Sequence, residues 1–451
     1  MERVNRREFL NRSLRVSSAA SLGTLAFSTL PSSVLGANDR VNLALIGCGG
    51  RGRMVARGLI ECGARFTYVC DLLEERRESV GKELAEAQKA DLKKVADMRQ
   101  VFDSPDVDAV VVATPDHWHA GVTVRACQAG KDVYVEKPHA HSLWESRQMA
   151  AAVRKYKRVV QVGTQNRSGP YNHKALDYIN SGKLGDIHLV KVYNLKSGGS
   201  FHLGDAGTPP AGFDWDTWLG PASYRPYHQR LFHGGWHHFW DFSNGDMADD
   251  GIHQMDLALM LMGDPGFPKT VSCTGGRLAH KGDDSEVPDV QVVCFDYDKF
   301  VMTFELTQYP RYMQKTTGTI RRNDEFPYWT QNATRIELYG SDLIMTVGRH
   351  GGGWIVQTSG GRIVETCYGR PADQPHEENF LQCVKSRKQP NADAETLHHS
   401  AAMIYLGCIA HRVGNQTLRF DGRTERFVDN SQADKLIKPK YRSKYSIPDQ
   451  V

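Results

Sequence analysis

The sequence lacks several features that would point to a common functional class. No run after the first 37 residues is long and apolar enough to span a bilayer. The nine cysteines include no CxxC pair, so buried free thiols are expected and neither a zinc ribbon nor a disulfide framework is indicated. The formal net charge is +4, of which the first 37 residues supply +3 through five arginines and two glutamates. The near-neutral remainder argues against a nucleic acid or an anionic membrane as partner.

The first 37 residues read as an export signal. Arg6 and Arg7 form a twin-arginine pair, and residues 16–30 are weakly apolar but too short and too polar to span a bilayer. Small residues ending at Ala37 offer a cleavage site. The segment therefore predicts a twin-arginine signal peptide over 1–37 and a periplasmic protein; an amphipathic or disordered N-terminus is the alternative.

A strand, a glycine-rich turn, a helix and a second strand follow from Val41 to Asp71. GxGxxG allows a tight turn, close approach of a pyrophosphate and close packing of the helix on the strand. Asp71 ends the second strand nineteen residues after the last glycine, where its carboxylate would accept ribose hydroxyls and repel a 2'-phosphate. The stretch predicts NAD in preference to NADP, bound by Gly47, Gly49, Gly50, Arg51, Gly52 and Asp71.

Alternating strands and helices continue to about Gly163, which predicts a doubly wound parallel sheet and a Rossmann domain over 38–163. Ligands of such sheets bind at the carboxyl ends of the strands. Two such ends carry candidate cofactor contacts, which are Thr114, Pro115 and His119 after one strand and Glu136 after the next. His119 could reach the nicotinamide or merely occupy the first turn of the next helix. Lys137 could bind a substrate hydroxyl or form a salt bridge with Glu136.

The second half, 164–451, carries an aromatic stretch with four tryptophans. These could form a platform for sugar rings, with Trp236 as a candidate substrate contact, or they could pack in the core. Histidines accompany them, but neither HExxH nor another fixed ligand spacing is present, so no metal is predicted.

A second informative stretch runs from Asn244 to Asp256. Apolar residues recur at helical spacing, while Asp249, His253 and Asp256 are spaced to share a neighbouring face. A carboxylate one turn before an imidazole can fix its tautomer and stabilise the imidazolium. A buried, purely structural His-Asp pair is the alternative.

Taken together, these stretches resemble the Gfo/Idh/MocA oxidoreductases over nearly the whole chain after residue 37. The resemblance implies a Rossmann domain followed by an α+β domain with an open, mostly antiparallel sheet that binds substrate and often builds a homodimer or homotetramer. The motifs that carry it are the glycine turn, Thr114-Pro115, Glu136-Lys137-Pro138, Trp218-Leu219-Gly220-Pro221 and Asp249-x-Gly251-x-His253-x-x-Asp256.

The resemblance also implies a catalytic set of Lys137, Asp249 and His253. His253 would remove the hydroxyl proton while hydride leaves the same carbon for the nicotinamide, Lys137 would hold the hydroxyl, and Asp249 would position the substrate or His253. Asp250 is an alternative for the inward-facing acid. Gln165 and Arg167 are further candidate substrate contacts.

Three functions fit this resemblance. The leading one is NAD-dependent oxidation of a hydroxyl of a sugar or polyol, with a tightly bound cofactor because little free NAD is expected outside the inner membrane. A redox-neutral NAD-dependent glycosidase is the alternative, although the Tyr-Pro-Thr-His signature associated with such enzymes is absent. A non-catalytic sugar-binding regulator is the third, and the intact set of Lys137, Asp249 and His253 argues against it.

Overall fold

The computed structural model describes residues 40–309, 311–448 and 451, so the predicted signal peptide lies outside the described residues. The first sheet has six parallel strands in the order β3-β2-β1-β4-β5-β6. Because the order reverses between β1 and β4, a crevice opens at the carboxyl ends of these two strands. The strands are β1 Asn42–Ile46, β2 Arg65–Cys70, β3 Lys93–Val95, β4 Ala109–Val112, β5 Asp132–Val135 and β6 Val160–Val162. The helices between them are α1 Gly50–Glu61, α2 Glu74–Gln88, α3 Arg99–Phe102, α4 Asp116–Gln128 and α5 Leu143–Tyr156.

The second sheet has ten strands in the order β14-β13-β12-β11-β7-β10-β9-β8-β15-β16. Every pairing is antiparallel except that of β7 with β10, as the family resemblance implies for an open, mostly antiparallel sheet. The strands are β7 Leu189–Leu195, β8 Thr270–Gly276, β9 Val290–Asp296, β10 Val301–Thr307, β11 Arg335–Tyr339, β12 Ile344–Gly348, β13 Trp354–Gln357, β14 Ile363–Cys367, β15 Thr417–Asp421 and β16 Arg426–Val428.

Helices of the second half cover one face of this sheet and also reach the first sheet. They are α6 Pro170–Asn180, α7 Trp215–Leu219, α8 Gln229–Phe232, α9 Ile252–Leu261, α10 Gly318–Arg322, α11 Asp373–Ser386, α12 Ala394–Arg412 and α13 Ser431–Ile437. Phe380 and Leu381 of α11 pack in the same apolar cluster as Leu43 and Val55 of the first domain. The two halves therefore share core packing, and none of the described helices has the length and apolar character needed to cross a membrane.

Three local features complete the fold. Helix α2 ends at Gln88, because Lys89 adopts the left-handed region with φ 52° and Lys93–Val95 then joins the sheet edge. Strands β9 and β10 form a hairpin. The C-terminal residues fold onto the same chain, where Arg442 Nε donates to the Gly220 carbonyl over 2.8 Å. All nine cysteines are free.

Candidate functional site

The glycine turn between β1 and α1 leaves open space where a diphosphate is expected. A Cβ on Gly52 would lie 2.2 Å from the Gly47 carbonyl oxygen, so the close helix-strand approach requires glycine there. A Cβ on Gly49 or Gly50 would meet no atom within 4 Å. No side chain caps the start of α1 and no acid lies in its first turn, so its free amide groups can donate to an anion. This cradle fits a dinucleotide.

Asp71 lies beside this turn, as the sequence predicts. Its carboxylate accepts hydrogen bonds from the backbone amides of Cys48, over 2.8 Å, and Leu73, over 2.9 Å. Burial raises the pKa of Asp71 although both bonds favour the ionised form. Each carboxylate oxygen can accept more than one hydrogen bond, so Asp71 keeps the capacity to bind ribose hydroxyls.

Two predicted cofactor contacts, Arg51 and Glu136, bind each other. Arg51 Nε donates to Glu136 Oε1 over 2.8 Å, and Glu136 is buried. A Cβ on Gly163 would lie 2.6 Å from that oxygen, so the glycine leaves room for the pair. Glu136 is therefore the partner of Arg51, and Lys137 is paired elsewhere.

The structure places His119 in the alternative role considered for it. Its buried ring lies in the first turn of α4, which follows Thr114 and Pro115, with Nδ1 2.6 Å from the Pro138 carbonyl oxygen and Nε2 2.7 Å from the Thr114 carbonyl oxygen. Burial lowers its pKa. Because both ring nitrogens are occupied by the backbone, His119 is withdrawn from the candidate cofactor contacts, while Thr114 and Pro115 keep their place at the end of β4.

Lys137, at the end of β5, meets Asp249 across the cleft between the two domains. Its Nζ donates to Asp249 Oδ1 over 2.7 Å and to the Asp249 carbonyl over 2.5 Å. The two side chains are 18% and 37% exposed, so the pair is accessible from the cleft. Burial disfavours both charges, but Asp249 outweighs it and raises the pKa of Lys137, while Lys137 holds the pKa of Asp249 below its usual range. Both groups are charged at neutral pH.

The chain is irregular where it presents Asp249. Met247–Gly251 forms a π-helical turn that continues into α9. A Cβ on Gly251 would lie 2.6 Å from a ring carbon of Phe304, so the glycine of the motif allows this turn to pack on β10. Widened turns of this kind are frequent at functional sites. Here the turn directs Asp249 to Lys137.

His253 lies in the first turn of α9 with a buried ring. Burial, followed by the positive charges of Arg349 and Lys137, holds its pKa well below the usual range. The imidazole is therefore neutral, and these groups make it a weaker base than a free imidazole. The carboxylate expected to fix its tautomer is engaged with Lys137, and no hydrogen bond joins Asp249 to the ring within the described residues.

Asp250, the second acid of the pair, faces three cations that the sequence analysis missed. Lys196 Nζ lies 2.6 Å from Asp250 Oδ2, Lys315 donates to the same oxygen, and an Arg349 nitrogen lies 3.6 Å from Oδ1. Lys196 directly follows β7 and Arg349 directly follows β12. The rule that singled out Lys137, a cation at a strand end, could have identified both; Lys315 has no such signal.

Arg167, predicted to contact substrate, lies in the core instead. Its Nε donates to Asp256 Oδ1 over 2.7 Å, and the guanidinium also contacts Asp264 and Ser400. The side chains of Arg167 and Asp256 are 4% and 0% exposed. The prediction for Arg167 is therefore wrong, because its buried guanidinium neutralises the buried carboxylate of Asp256. Gln165 is half-buried, with Nε2 3.5 Å from the Tyr134 hydroxyl, and stays a candidate.

Two tryptophans lie in an apolar cluster, and Trp236 packs at the edge of the same cluster. Trp215 and Trp218 are buried and stacked, with centroids 4.4 Å apart, which is core packing. Trp236 is half-buried and stacks on His237 with centroids 3.5 Å apart. Burial lowers the pKa of His237 to about 4, and Asp249 and Lys137 are its nearest charged influences. Trp236 therefore keeps its place as a candidate substrate contact, and Trp215 and Trp218 do not.

Two family models match the chain in the order of its two domains. Residues 41–164 match the oxidoreductase family NAD-binding Rossmann fold, and residues 193–299 and 362–447 match the C-terminal alpha/beta domain of the same family. The chain belongs to the Gfo/Idh/MocA oxidoreductase family. Membership confirms the predicted fold class and the nicotinamide dinucleotide as its cofactor.

Curated relatives and solved structures of Gfo/Idh/MocA proteins extend this result. The chain is 28% identical over 226 residues to a scyllo-inositol 2-dehydrogenase (NAD+) of Bacillus subtilis, covering 50% of this chain and 54% of the relative. It is 25% identical over 244 residues to a 2,7-anhydro-N-acetylneuraminate hydratase of Mediterraneibacter gnavus, covering 54% of each. The chain thus spans about half the length of these relatives. A levoglucosan dehydrogenase solved with NADH and levoglucosan shares the fold with a TM-score of 0.63 and 17% identity, over 84% of this chain and 99% of that one.

Proposed function

We propose that this protein is an NAD-dependent oxidoreductase that oxidises a hydroxyl of a sugar or polyol by hydride transfer, with the cofactor held tightly. The contact of Lys137 Nζ with Asp249 Oδ1, at 2.7 Å, carries the proposal. It joins the end of a Rossmann strand, where the nicotinamide is expected, to the turn that precedes α9 in the second domain. A substrate in this cleft would meet both domains at once.

The roles of the three residues follow from their charge states. The Lys137 ammonium stays protonated beside Asp249 and can donate a hydrogen bond to the substrate oxygen. His253 is neutral and can take the hydroxyl proton. Asp249 positions Lys137 rather than His253. When bound, NAD supplies the acceptor for the hydride released from the carbon of that hydroxyl.

The substrate class rests on the relatives together with the site. The inositol dehydrogenase acts on a polyol and the levoglucosan dehydrogenase on a sugar derivative, as their names state. The cleft combines charged hydrogen-bonding groups with the half-buried ring of Trp236, which is a combination suited to a polyhydroxylated ligand.

A redox-neutral NAD-dependent glycosidase is the second candidate. The relative named a hydratase favours it, because adding or removing water involves no net oxidation. Lys137 and His253 could serve such a reaction by the same hydrogen bond and the same proton transfer. The two candidates therefore differ in product rather than in the residues used.

Export and assembly are further parts of the proposal. The twin-arginine pair supports export of the folded protein to the periplasm with its cofactor already bound. A homodimer or homotetramer is expected. Cell fractionation of the full chain and light scattering of the purified protein test these two predictions.

One experiment separates the two functions. The full chain is purified without added cofactor, the bound nucleotide is identified by mass spectrometry, and the protein is incubated with free sugars, polyols and aryl glycosides. Reduced nicotinamide that accumulates on the protein without aglycone release supports the oxidoreductase. Aglycone release without accumulation supports the glycosidase. Protein that neither retains nor binds NAD would contradict both.

A further inference from the structure

The cations around Asp250 outnumber the carboxylates that they neutralise. Lys196 lies 2.5 Å from an oxygen of Asp246 and 2.6 Å from one of Asp250, and Lys315 and Arg349 also face Asp250. Lys196 also lies 3.9 Å from Asp249, which pairs with Lys137. Four cationic side chains, counting Lys137, thus share three carboxylates, and one positive charge is left without a counter-charge.

Arg349 has the least compensated charge of the three cations. Its side chain is only 11% exposed, and its single ion pair, with Asp250, is 3.6 Å long. Within the described residues its guanidinium donates no hydrogen bond, although a guanidinium carries five N–H groups. The side-chain nitrogens of Arg349 are absent from the fully buried polar atoms that lack a hydrogen-bond partner, so solvent or a ligand can reach them. Arg349 therefore offers donors that a ligand in the cleft can use.

The neighbouring groups show the same excess of positive charge. Burial lowers the pKa of Lys315, and Lys196 and Arg349 lower it further against the pull of Asp250. Burial, together with Arg321, likewise lowers the pKa of Arg349. The Arg321 side chain adds a further positive charge to this group. Its Nε donates to the Thr316 carbonyl over 2.7 Å, and a guanidinium offers no acceptor for the N–H groups of Arg349.

The uncompensated charge lies beside the candidate catalytic groups. Arg349 contacts Asp250, which directly follows Asp249, the partner of Lys137, on the turn that leads to His253. Asp249 also lies 3.9 Å from Lys196. A ligand group bound by Arg349 would therefore belong to the molecule whose hydroxyl lies between Lys137 and His253.

We propose that Arg349 and Lys315 form a subsite for a carboxylate of the substrate, so that the protein acts on an acidic sugar rather than a neutral one. The inference rests on the proposed function and specifies its substrate. A planar guanidinium binds a carboxylate through two parallel hydrogen bonds, and the adjacent ammonium adds a third donor. A substrate carboxylate supplies negative charge that the group lacks.

The subsite also affects the base. A substrate carboxylate would neutralise the charge of Arg349 that disfavours the protonated form of His253. Acidic substrates would thus raise the basicity of His253 on binding, whereas neutral substrates would leave it low. The same contact provides selectivity in binding and in proton transfer.

Binding to the cofactor-loaded full chain tests the subsite. Calorimetric titrations compare hexoses with the hexuronates that differ from them only at carbon six, namely glucose with glucuronate and galactose with galacturonate, and include glucose 6-phosphate. We expect a hexuronate to bind roughly 10- to 100-fold more tightly than its hexose, as for a hydrogen-bonded charge pair. Arg349→Gln should abolish this preference and leave hexose binding within about threefold. Arg419→Gln is the matched control, because Arg419 is an exposed, ion-paired arginine near the opposite edge of the same sheet.

Each outcome decides for or against the subsite. Equal binding of acid and hexose, no binding of any acid, tighter binding of the sugar phosphate, or a preference that survives Arg349→Gln would overturn it. If Arg349→Gln does not fold, Lys315→Gln is measured instead and should reduce the preference. Binding of acids through Arg349 without cofactor reduction would refute the proposed function alone, whereas reduction by neutral sugars without binding of acids would refute the subsite alone.

Discussion

Two ion pairs of equal length lie along one helical segment. Lys137 meets Asp249 over 2.7 Å before α9, and Arg167 meets Asp256 over 2.7 Å within it. The first pair is 18% and 37% exposed, whereas the second is 4% and 0% exposed. The two distances are equal, so distance does not distinguish the roles of the pairs. Solvent access distinguishes them, because a ligand can replace one of the partners only in the first pair.

Neighbouring charges strengthen this contrast. Asp249 has a second cation, Lys196, at 3.9 Å, so losing Lys137 would not leave it alone. Asp256 is fully buried, and its Oδ2 has no hydrogen-bond partner within the described residues. Losing Arg167 would therefore leave Asp256 buried with only the hydrogen bond that Ser400 donates, and it would also leave the like charge of Asp264 without this cation.

The largest expected effect is on turnover when the accessible pair is broken. Lys137→Ala and His253→Ala should each lower kcat roughly 100- to 10,000-fold, because they remove the donor to the substrate oxygen and the base. Sugar binding should be largely kept, and Tm should fall less than when a buried ion pair is broken, because Lys196, at 3.9 Å, still compensates Asp249 and the neutral His253 carries no charge to lose. Steady-state kinetics, calorimetry and thermal unfolding on each variant measure the three quantities. A large loss of Tm with normal kcat would show that the accessible pair serves stability rather than turnover.

Breaking the sealed pair should act on stability instead. Arg167→Ala should lower the free energy of unfolding by about 3–5 kcal/mol, since it leaves Asp256 buried and uncompensated. Denaturant titration measures this value, and the folded fraction should retain most of its kcat. Arg99→Ala is the control, because Arg99 and Asp97 form an exposed pair whose loss should leave the free energy of unfolding nearly unchanged. Equal effects of the two variants would show that burial does not set the cost.

The same distinction between open and sealed positions applies to the glycine turn. Gly49→Ala should fold, because its φ of −73° suits alanine and its Cβ meets no protein atom. It should weaken NAD binding about 10-fold by intruding where the diphosphate is expected. Gly52→Ala is the sealed counterpart and should lose stability. Cofactor content after dialysis and Tm distinguish them, and undiminished cofactor content in Gly49→Ala would contradict the placement of the diphosphate.

The smallest effect concerns Asp116, which lies beside the accessible pair. Burial raises its pKa to about 8, despite the hydrogen bond donated by Ser243. Between about pH 4 and pH 8 the unfolded chain ionises while the folded chain keeps Asp116 protonated, so stability falls as pH rises through this window. Asp116→Asn removes that loss. Its Tm should exceed that of the unchanged protein by a few degrees at about pH 8 and by less at about pH 5. A Tm difference between Asp116→Asn and the unchanged protein that becomes smaller as pH rises would contradict the raised pKa of Asp116.

Sequence reasoning reached the fold and part of the site. The glycine turn, the acid at Asp71 and the two strand ends could be read because Rossmann folds place ligands by a local rule. The family resemblance placed Lys137, Asp249 and His253 in one site but assigned Asp249 to the substrate or to His253. The pairing of Asp249 with Lys137 is seen only in the structure, since their separation in sequence carries no local signal. The roles of Arg167 and Asp256 could not be predicted for the same reason. The sequence does not show whether a charged residue near a motif is accessible to a ligand or buried in an ion pair. The strand-end rule could have identified Lys196 and Arg349, but only the fold shows that they meet Lys315 at Asp250.

The backbone carbonyl of Trp218 joins two parts of the molecule that are remote in sequence. It lies 3.0 Å from both Trp118 Nε1 and His117 Nε2, at the start of α4. Breaking the contacts of this oxygen would leave two ring nitrogens without a hydrogen-bond partner at the same time. The aromatic stretch and the first turn of α4 should therefore open as one cooperative unit, and their amide hydrogens should exchange with solvent at matching rates.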